Sequence, residues 1–235
     1  MPQPWKTIDS VSTDEGILEL RQRGEQDFLI TVSGRVLMNS RAHRTEVALG
    51  RLACSHPRSQ PGPRVLLGGL GMGYTLRAVL DTLSPAGKVL VSELNPPVLD
   101  WCRGHLSALT DGAAADPRVS VEIGDVAQLI GRYAKDGKLE NFDAVVLDLY
   151  SGPCTGTHKR DDPFYGSTAI DTTQSVLKPN GVFAVWGEDY DAGFDKRLRG
   201  AGFSVTSERL GRGGPRHVVY MGKLKPHSRR PRRGG

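Results

Sequence analysis

The feature that most constrains the fold of this chain is an alternation of strand-like and helix-like segments that begins at Arg64. Such alternation is typical of a parallel sheet with crossover helices on both faces. The segment FDAVVLDLY (142–150) contains a continuous apolar run, as expected for a strand buried on both faces, and is predicted to be the central strand. Further strands are predicted at 64–69, 88–94, 118–125 and 181–188, and helices at 75–83, 97–109, 126–134, 165–177 and 194–202.

Antiparallel β structure is predicted at both ends of this alternation. Residues 203–210 and 216–224 flank the turn GRGGP and predict a terminal hairpin in place of a last crossover helix. Short strands are predicted at 16–22, 27–32 and 35–40, followed by a helix at 44–54. The pattern therefore predicts an α/β, Rossmann-like fold of the S-adenosylmethionine-dependent methyltransferase type, with a terminal β-hairpin and a small N-terminal β appendage.

We expect three regions along the chain: an appendage with its linking helix over residues 1–55, a nucleoside-binding catalytic domain over 56–224, and a basic tail over 225–235. The tail combines Pro, Gly and like charges without an apolar period, so it is expected to be disordered. From Lys223 onwards the chain carries basic residues and no acid, which accounts for more than the whole net charge of +5. We therefore expect weak phosphate contacts by the tail at most, and no other nucleic-acid binding.

Hydropathy, the first residues and the cysteines indicate the cellular compartment and the absence of a metal site that we expect. The sequence has no run of about 18 apolar residues, and its first residues lack the basic and apolar regions of a secretion signal, so we expect a cytoplasmic protein without membrane contact. The three cysteines, Cys54, Cys102 and Cys154, form no Cys/His cluster. This spacing predicts reduced thiols and no metal site.

Three glycines, Gly69, Gly71 and Gly73, occupy alternate positions between the first strand and the first helix of the alternation. Glycine is expected there because the chain must turn sharply and because side chains would collide with a bound nucleoside. The G-x-G-x-G spacing differs from the G-x-G-x-x-G pattern that places a pyrophosphate at a helix N-terminus, which favours a cofactor without phosphates. A merely tight strand-to-helix turn is the alternative explanation.

Two acidic residues stand at neighbouring predicted strand ends. Glu93 lies twenty residues after Gly73, where a carboxylate can accept hydrogen bonds from both ribose hydroxyls. Asp125 ends the next strand, where it could accept from an adenine amino group or cap the following helix, and the two roles are compatible. Together with the glycines, these acids predict a nucleoside site.

The ends of the fourth and fifth strands carry the candidates for chemistry. Asp148 follows the apolar run, where a charge is costly unless it is paired or faces a ligand crevice. We predict that Asp148 borders the cofactor and orients or deprotonates the nucleophile, and that Tyr150 and Glu188 line its pocket.

Other residues of the same loops are equally well explained as solvated loop positions. Residues 151–162 have the length of a lid over the substrate, with Ser151, His158, Asp161 and Asp162 as candidates. The acidic and aromatic residues 186–191 would suit a cationic amine, whereas basic residues at the hairpin turn could receive an anionic group. These candidates are Trp186, Asp189, Tyr190 and Asp191 in the first set and Arg212, Arg216 and His217 in the second.

Read in order, these motifs resemble the polyamine aminopropyltransferase family, whose best-known members are the spermidine synthases. VLLGGLGMG resembles the family's VL-x-x-GGGDGG loop, VSELN its EID segment, DPRVSVEIGD its DPRV...GD segment, and FDAVVLDLYSGP its YDVII-DSSDP-GP segment. The resemblance runs from about residue 28 to 190. It implies the fold, an N-terminal β appendage, frequent homodimers, polyamine biosynthesis as the setting, and decarboxylated S-adenosylmethionine held by Glu93 and Asp125.

The departures from the family pattern concern the acceptor. Gly71 stands where the family's loop has an Asp, the segment after Asp148 lacks the second Asp to which the family's amine-activating role belongs, and RAHRTE lacks the family's acidic DE pair. A diamine carries two ammonium groups, one of which must be deprotonated before it attacks a sulfonium carbon. Methyl transfer depends mainly on in-line positioning of the nucleophile and needs less acid–base help.

Our leading hypothesis is therefore a spermidine-synthase-like transferase that uses S-adenosylmethionine or its decarboxylated form to alkylate a small-molecule nucleophile, with methyl transfer slightly favoured. The alternatives are aminopropyl transfer that makes a polyamine such as spermidine from a diamine, and a non-catalytic nucleoside-binding module. An NAD-dependent dehydrogenase is disfavoured by the glycine spacing and the terminal hairpin.

Overall fold

The N-terminal part of the chain forms a four-stranded antiparallel sheet, here called the appendage sheet. The computed structural model describes residues 3–55, 61–137, 139–210 and 217–225. The appendage sheet consists of β1 (Lys6–Thr13), β2 (Gly16–Arg23), β3 (Asp27–Val32) and β4 (Arg35–Asn39), in that spatial order. The helix α1 (Arg44–Cys54) follows it and leads to a larger sheet.

The larger sheet has seven strands and is mostly parallel. Its elements, in chain order, are β5 (Arg64–Gly68), α2 (Tyr74–Thr82), β6 (Lys88–Glu93), α3 (Pro96–Arg103), β7 (Val119–Ile123), α4 (Val126–Lys135), β8 (Phe142–Leu147), α5 (Ser167–Ser175), β9 (Leu177–Gly187), α6 (Ala192–Gly200), β10 (Phe203–Leu210) and β11 (His217–Leu224). The spatial order is β10-β11-β9-β8-β5-β6-β7. Strands β5 to β9 run parallel, whereas β11 runs antiparallel to both of its neighbours. The predicted Rossmann-like fold with a terminal hairpin is therefore confirmed.

The central strand β8 is buried at every residue, because helices cover both faces of the sheet. Ala144 and Val146 belong to a core cluster with apolar residues of α1, α2, α3 and the appendage sheet. Val145 and Leu147 belong to a second cluster with residues of α4, α5 and α6. Alternate residues of one strand thus enter opposite cores, which explains the continuous apolar run in the sequence.

The appendage sheet packs on the face of the large sheet that carries α2 and α3. Leu20 and Ile30 join the core cluster of that face. The indole Nε1 of the buried Trp101 donates to Asp9 Oδ2 at 2.6 Å, which connects α3 to β1. Strand β1 was not predicted, because it is an edge strand whose segment KTIDSVST offers few apolar residues to a pattern.

Two other boundaries differ from the prediction. The helix predicted at 97–109 ends at Arg103, before Gly104, and continues as two short 3-10 turns over Ser107–Thr110 and Ala113–Ala115. Strand β9 begins at Leu177, the last residue of the helix predicted at 165–177, and so starts four residues before the strand predicted at 181–188. Within these first residues the chain passes through Asn180 with a φ of +64°, and the register shifts against β8. The strand accommodates this local irregularity without ending.

Some predictions cannot be placed on the molecule. Residues 226–235 of the predicted basic tail, Arg212 and Arg216 lie outside the described residues. Within the described ranges, no helix combines the length and the apolar character needed to cross a bilayer.

Helices α1 and α2 approach each other closely at Gly50. A Cβ at this position would lie 2.7 Å from the Thr75 backbone oxygen and 2.9 Å from Ala78 Cβ. Nearby, Thr75 Oγ1 lies 3.2 Å from the backbone oxygen of Glu46. The packing at Gly50 therefore sets the distance between the two helices.

Gly50→Ala adds a methyl group where the backbone of α2 leaves no room, so we expect the free energy of unfolding to fall by about 1–3 kcal/mol. Gly131→Ala in α4 is the matched control, because a Cβ there meets nothing within 4 Å. The higher helix propensity of alanine should stabilise that variant by about 0.5–1 kcal/mol. Urea unfolding followed by circular dichroism measures both, and effects of the same sign would contradict the tight contact at Gly50.

Candidate active site

The residues predicted to form the site follow adjacent strands at one edge of the large sheet. Three backbone hydrogen bonds continue the strand pairing past the strand ends: Gly69 N to Ser92 O at 2.9 Å, Gly124 N to Glu93 O at 2.8 Å and Asp148 N to Gly68 O at 2.9 Å. Neighbouring strands lie about 4.8 Å apart. Glu93, Asp125 and Asp148 are therefore placed along the same edge, with the glycine loop between Glu93 and Asp148.

The three glycines of the loop all have a positive φ, of +87° at Gly69, +52° at Gly71 and +82° at Gly73. Their closest neighbours belong to the protein itself. A Cβ at Gly69 would lie 2.3 Å from the Asp148 backbone oxygen, and a Cβ at Gly71 would lie 2.4 Å from the Met38 sulfur in β4. Backbone conformation and internal packing thus require these glycines, so they are weaker evidence for a nucleoside than the sequence suggests.

Glu93 holds the glycine loop in place. Its Oε2 accepts from Leu70 N at 2.8 Å and its Oε1 accepts from Asn95 N at 2.9 Å. Burial raises the pKa of this carboxyl, against the lowering effect of the backbone N–H groups of Asn95, Leu70, Leu94 and Gly71. Four backbone N–H groups therefore already face this buried carboxylate, and ribose hydroxyls would have to share its oxygens with them.

Asp125 caps helix α4, which is one of the two predicted roles. Its Oδ1 accepts from Ala127 N at 2.6 Å and from Gln128 N at 3.2 Å. The residue is partly exposed, and its second carboxylate oxygen has no hydrogen-bond donor among the described residues. The cap and a contact with an adenine amino group are therefore compatible.

Asp148 lies at the end of β8 with its carboxylate turned towards α2. Its Oδ2 accepts a hydrogen bond of 2.5 Å from Thr75 Oγ1. Loss of solvent and, next, the negative charge of Glu46 raise the pKa of Asp148 to about 7, while the Thr75 hydrogen bond lowers it. A carboxyl with this pKa is divided between its acid and base forms near neutral pH, which suits proton transfer.

Glu46 places a second negative charge within electrostatic range of Asp148 and was not among the predicted site residues. It lies in the first turn of α1, and its Oε2 accepts from Thr45 Oγ1 at 2.7 Å. Thr45 in turn accepts from Trp186 Nε1 at 3.2 Å, which ties the start of α1 to the end of β9. An acid in the first helical turn is ordinary because the helix dipole favours it there, so the position of Glu46 alone does not single it out.

Tyr150 and Glu188, which are predicted to line the pocket, follow β8 and β9 and are exposed. Tyr150 is 43% exposed, and the guanidinium of Arg35 from β4 lies 4.5 Å above its ring. Glu188 follows β9, is exposed, and makes no hydrogen bond or ion pair among the described residues. Both residues can line an entrance, and Tyr150 connects that entrance to the appendage sheet.

The first residues of the predicted lid (151–162) pack against the end of β9. A Cβ at Gly152 would lie 2.4 Å from Gly187 Cα, so the two backbones are in direct contact at the end of β9. Further along, His158 Nε2 lies 2.7 Å from Asp191 Oδ2, and Asp191 Oδ1 also caps α6 by accepting from Phe194 N. His158 and Asp191 thus join the lid to α6.

The remaining acidic candidates of the lid and of the loop after β9 either shape the loop through hydrogen bonds or are exposed. Asp162 accepts from the backbone N–H groups of Phe164 and Tyr165, and so shapes the loop. Asp161 and Asp189 are exposed. Among the described residues no group of three or more His, Cys, Asp or Glu could hold a metal ion, and of the cysteines only Cys154 is exposed.

Comparisons with known proteins point to one family. The family model of the spermine/spermidine synthase domain matches residues 49–191. A polyamine aminopropyltransferase of Aeropyrum pernix is 29% identical over 191 residues, covering 76% of this chain and 58% of that protein. Polyamine aminopropyltransferase 2 of Pseudomonas aeruginosa is 32% identical over 158 residues, covering 66% of this chain and 40% of that protein.

Solved structures agree on the fold. The spermidine synthase of Thermotoga maritima superposes with a TM-score of 0.70 at 19% identity, covering 93% of this chain and 72% of that chain. The present chain spans 58% and 40% of the length of the two curated relatives. Since the family model covers more than half of the sequence, this chain belongs to the spermine/spermidine synthase family.

Proposed function

We propose that this protein is an aminopropyltransferase that alkylates an amine with decarboxylated S-adenosylmethionine. The observation that carries the proposal is the Asp148 carboxyl, which lies at the end of β8 beside the glycine loop, contacts Thr75 Oγ1 at 2.5 Å and is within electrostatic range of Glu46. Negative charge favours the binding of an ammonium group, and a base is needed to deprotonate it. The two curated relatives described above, both polyamine aminopropyltransferases, support the same reading.

Methyl transfer, which the sequence slightly favoured, gains no support from these relatives. The preference rested on a shortage of acidic residues at the acceptor site. Glu46 adds a negative charge within electrostatic range of Asp148, which weakens that argument.

Glu93 and Asp125 are proposed to hold the donor nucleoside through its ribose and its adenine amino group. The placement of the two residues at the ends of adjacent strands supports this assignment, as does the second carboxylate oxygen of Asp125, which has no donor among the described residues. When bound, the donor supplies a sulfonium centre, whose neighbouring methylene carbon is open to attack.

In the proposed reaction, Asp148 removes a proton from the acceptor ammonium, and Glu46 helps to hold the amine in place. The lone pair of the neutral amine forms the new C–N bond while the C–S bond breaks, and the electrons of that bond stay on sulfur as a neutral thioether. The proton on Asp148 then passes to solvent. A base with a pKa of about 7 can accept and release this proton near neutral pH.

Glu93→Gln should weaken the binding of 5′-methylthioadenosine at least about tenfold, because an amide cannot accept both ribose hydroxyls while it also serves the loop. Isothermal titration calorimetry measures the affinity, and a melting curve shows whether the variant is folded. Glu15→Gln, at an exposed turn, is the control and should bind like the unmodified chain. NAD should give no heat. Unchanged affinity in a folded Glu93→Gln variant would remove Glu93 from the site.

Turnover should depend on the ionisation of Asp148. We expect kcat/KM for release of 5′-methylthioadenosine in the presence of an amine to fall as the pH drops below about 7, because Asp148 becomes protonated. Asp148→Asn should lower kcat by about 10²–10⁴. Glu46→Gln should raise KM for the amine and shift the pH profile to lower pH, because one cause of the raised pKa is removed.

Glu15→Gln serves again as the control and should keep the original profile. Binding of the nucleoside without turnover on any amine would favour the non-catalytic module instead. Release of S-adenosylhomocysteine from S-adenosylmethionine would restore the methyl-transfer reading.

Asp148 should also reduce the stability of the protein. Its pKa is higher in the folded chain than the ordinary 3.8, so the folded state binds the proton more tightly and stability falls as the pH rises from about 4 to about 7. The asparagine in Asp148→Asn does not titrate. We expect the free energy of unfolding of this variant to exceed that of the unmodified chain by at least about 1 kcal/mol at pH 8, with a smaller difference towards pH 4. Urea unfolding at the two pH values tests this, and a pH-independent difference would contradict the raised pKa.

A further inference from the structure

The hydroxyl of Thr75 lies between two acceptor atoms from distant parts of the chain. Thr75 is the second residue of α2 and is only 2% exposed, so solvent has almost no access to it. Its Oγ1 lies 2.5 Å from Asp148 Oδ2 and 3.2 Å from the backbone oxygen of Glu46 in α1. A hydroxyl has a single proton, so it donates to one of these two atoms at a time.

The two distances indicate which atom receives the Thr75 proton. A hydrogen bond from a hydroxyl to a carboxylate is about 2.5–2.7 Å long and is stronger than one between neutral groups. The contact with Asp148 has this length, whereas the distance to the Glu46 backbone oxygen is long for a hydroxyl donor. The Thr75 hydroxyl therefore donates to Asp148 when that residue is ionised.

The packing around Thr75 keeps its hydroxyl in place. A Cβ at Gly50 would lie 2.7 Å from the Thr75 backbone oxygen, so α1 and α2 are in direct contact there. Glu46 and Gly50 are about one turn apart on α1, and both face Thr75. A β-branched side chain in a helix also has few allowed rotamers. The position of the hydroxyl is thus fixed by two helices together.

The other carboxylate oxygen of Asp148, Oδ1, is available to a ligand. Among the described residues it has no hydrogen-bond donor, and Asp148 as a whole is half-buried. A carboxylate is planar, so the bond from Thr75 to Oδ2 also restricts the direction of Oδ1. Oδ1 keeps its lone pairs for a group that approaches from outside the chain.

On the basis of the proposed function, we infer that Thr75 is a positioning residue of the reaction: its hydroxyl holds Asp148 Oδ2, so that Oδ1 is the atom that takes the proton from the acceptor ammonium. In this step an N–H bond of the ammonium breaks, its electron pair stays on nitrogen, and the proton forms an O–H bond at Oδ1. Thr75 keeps its own proton and donates to Oδ2 before and after the transfer.

The Thr75 hydrogen bond opposes the other influences on Asp148. Loss of solvent and the charge of Glu46 raise the pKa of Asp148, and the Thr75 contact lowers it. Burial and acidic neighbours, Asp148 among them, raise the pKa of Tyr165. Tyr165 therefore stays neutral near pH 7, and its hydroxyl donates to the Ser151 backbone oxygen at 2.7 Å. Removing the Thr75 hydroxyl should favour the protonated form of Asp148.

Two pairs of variants separate the hydroxyl from the packing around it. In the first pair, Thr75→Val replaces the hydroxyl of the unmodified chain by a methyl group. In the second pair, Thr75→Ser and Thr75→Ala differ only in the hydroxyl, so this pair decides the matter if Thr75→Val does not fold. A melting curve shows which variants are folded.

Loss of the hydroxyl within each pair should reduce the rate more than it affects binding of the amine. For release of 5′-methylthioadenosine in the presence of 1,4-diaminobutane, we expect kcat to fall about 10- to 100-fold, with KM for the amine within about threefold. The acid limb of the kcat/KM profile should move up by about 1 pH unit, because a hydrogen bond to the ionised form is lost.

Thr82→Val is the matched control, because Thr82 lies in the same helix and its hydroxyl donates to the backbone oxygen of Ala78 at 2.7 Å. This variant should keep kcat and the pH profile. Carboxyl ¹³C NMR titration, with the Asp148 signal assigned by its loss in Asp148→Asn, gives the pKa of Asp148 without turnover. That pKa should rise in Thr75→Val and Thr75→Ala and stay unchanged in Thr82→Val.

The two kinds of measurement distinguish failure of this inference from failure of the proposed function. An unchanged titration of Asp148 in folded Thr75→Val, or a Thr75→Ser variant that behaves like Thr75→Ala, would overturn the inference even if amines are turned over. A kcat that is unchanged in both variants without the hydroxyl would overturn it as well. If no amine is turned over while the titration moves as expected, the proposed function fails and the hold of Thr75 on Asp148 stands.

Discussion

The negative charge that Glu46 places within electrostatic range of the Asp148 carboxyl is the constraint around which the site is arranged. Like charges repel, so the segments that carry them must be held by other contacts. The close approach of α1 and α2 at Gly50 and the contact of Thr75 with Asp148 provide these contacts. The fold thus keeps two like charges near each other, an arrangement that a bound cation would favour.

The fold and part of the site could be predicted because they follow from local pattern and from topology. The period of apolar residues gave the helix at 44–54 and the strand at 27–32 with the bounds of α1 and β3. In a parallel sheet the carboxyl ends of all strands lie at the same edge. This rule alone places Glu93, Asp125 and Asp148, which stand at the ends of such strands, near each other. Where chain direction and sequence order decide the geometry, the sequence is sufficient.

The rest depends on contacts between segments far apart in the chain, which no local pattern records. Glu46 of α1 acts on Asp148 through its charge, Arg35 of β4 contacts Tyr150, and Met38 packs against Gly71, where the φ of +52° already favours glycine. Trp186 and Tyr190 suggested a cation site, but their partners are basic residues of β11 and β10. Charge complementarity within a site becomes visible only when both partners have been placed.

The backbone contact between Gly152 and Gly187 also limits how the crevice can open. Because no side chain separates the two segments, the first residues after Asp148 are pressed against the sheet and cannot swing away as a unit. Any hinge must therefore lie beyond Pro153, in the largely exposed stretch that carries His158. Substrate exchange would then rearrange the outer half of this segment while Asp148 and the backbone beneath it keep their positions.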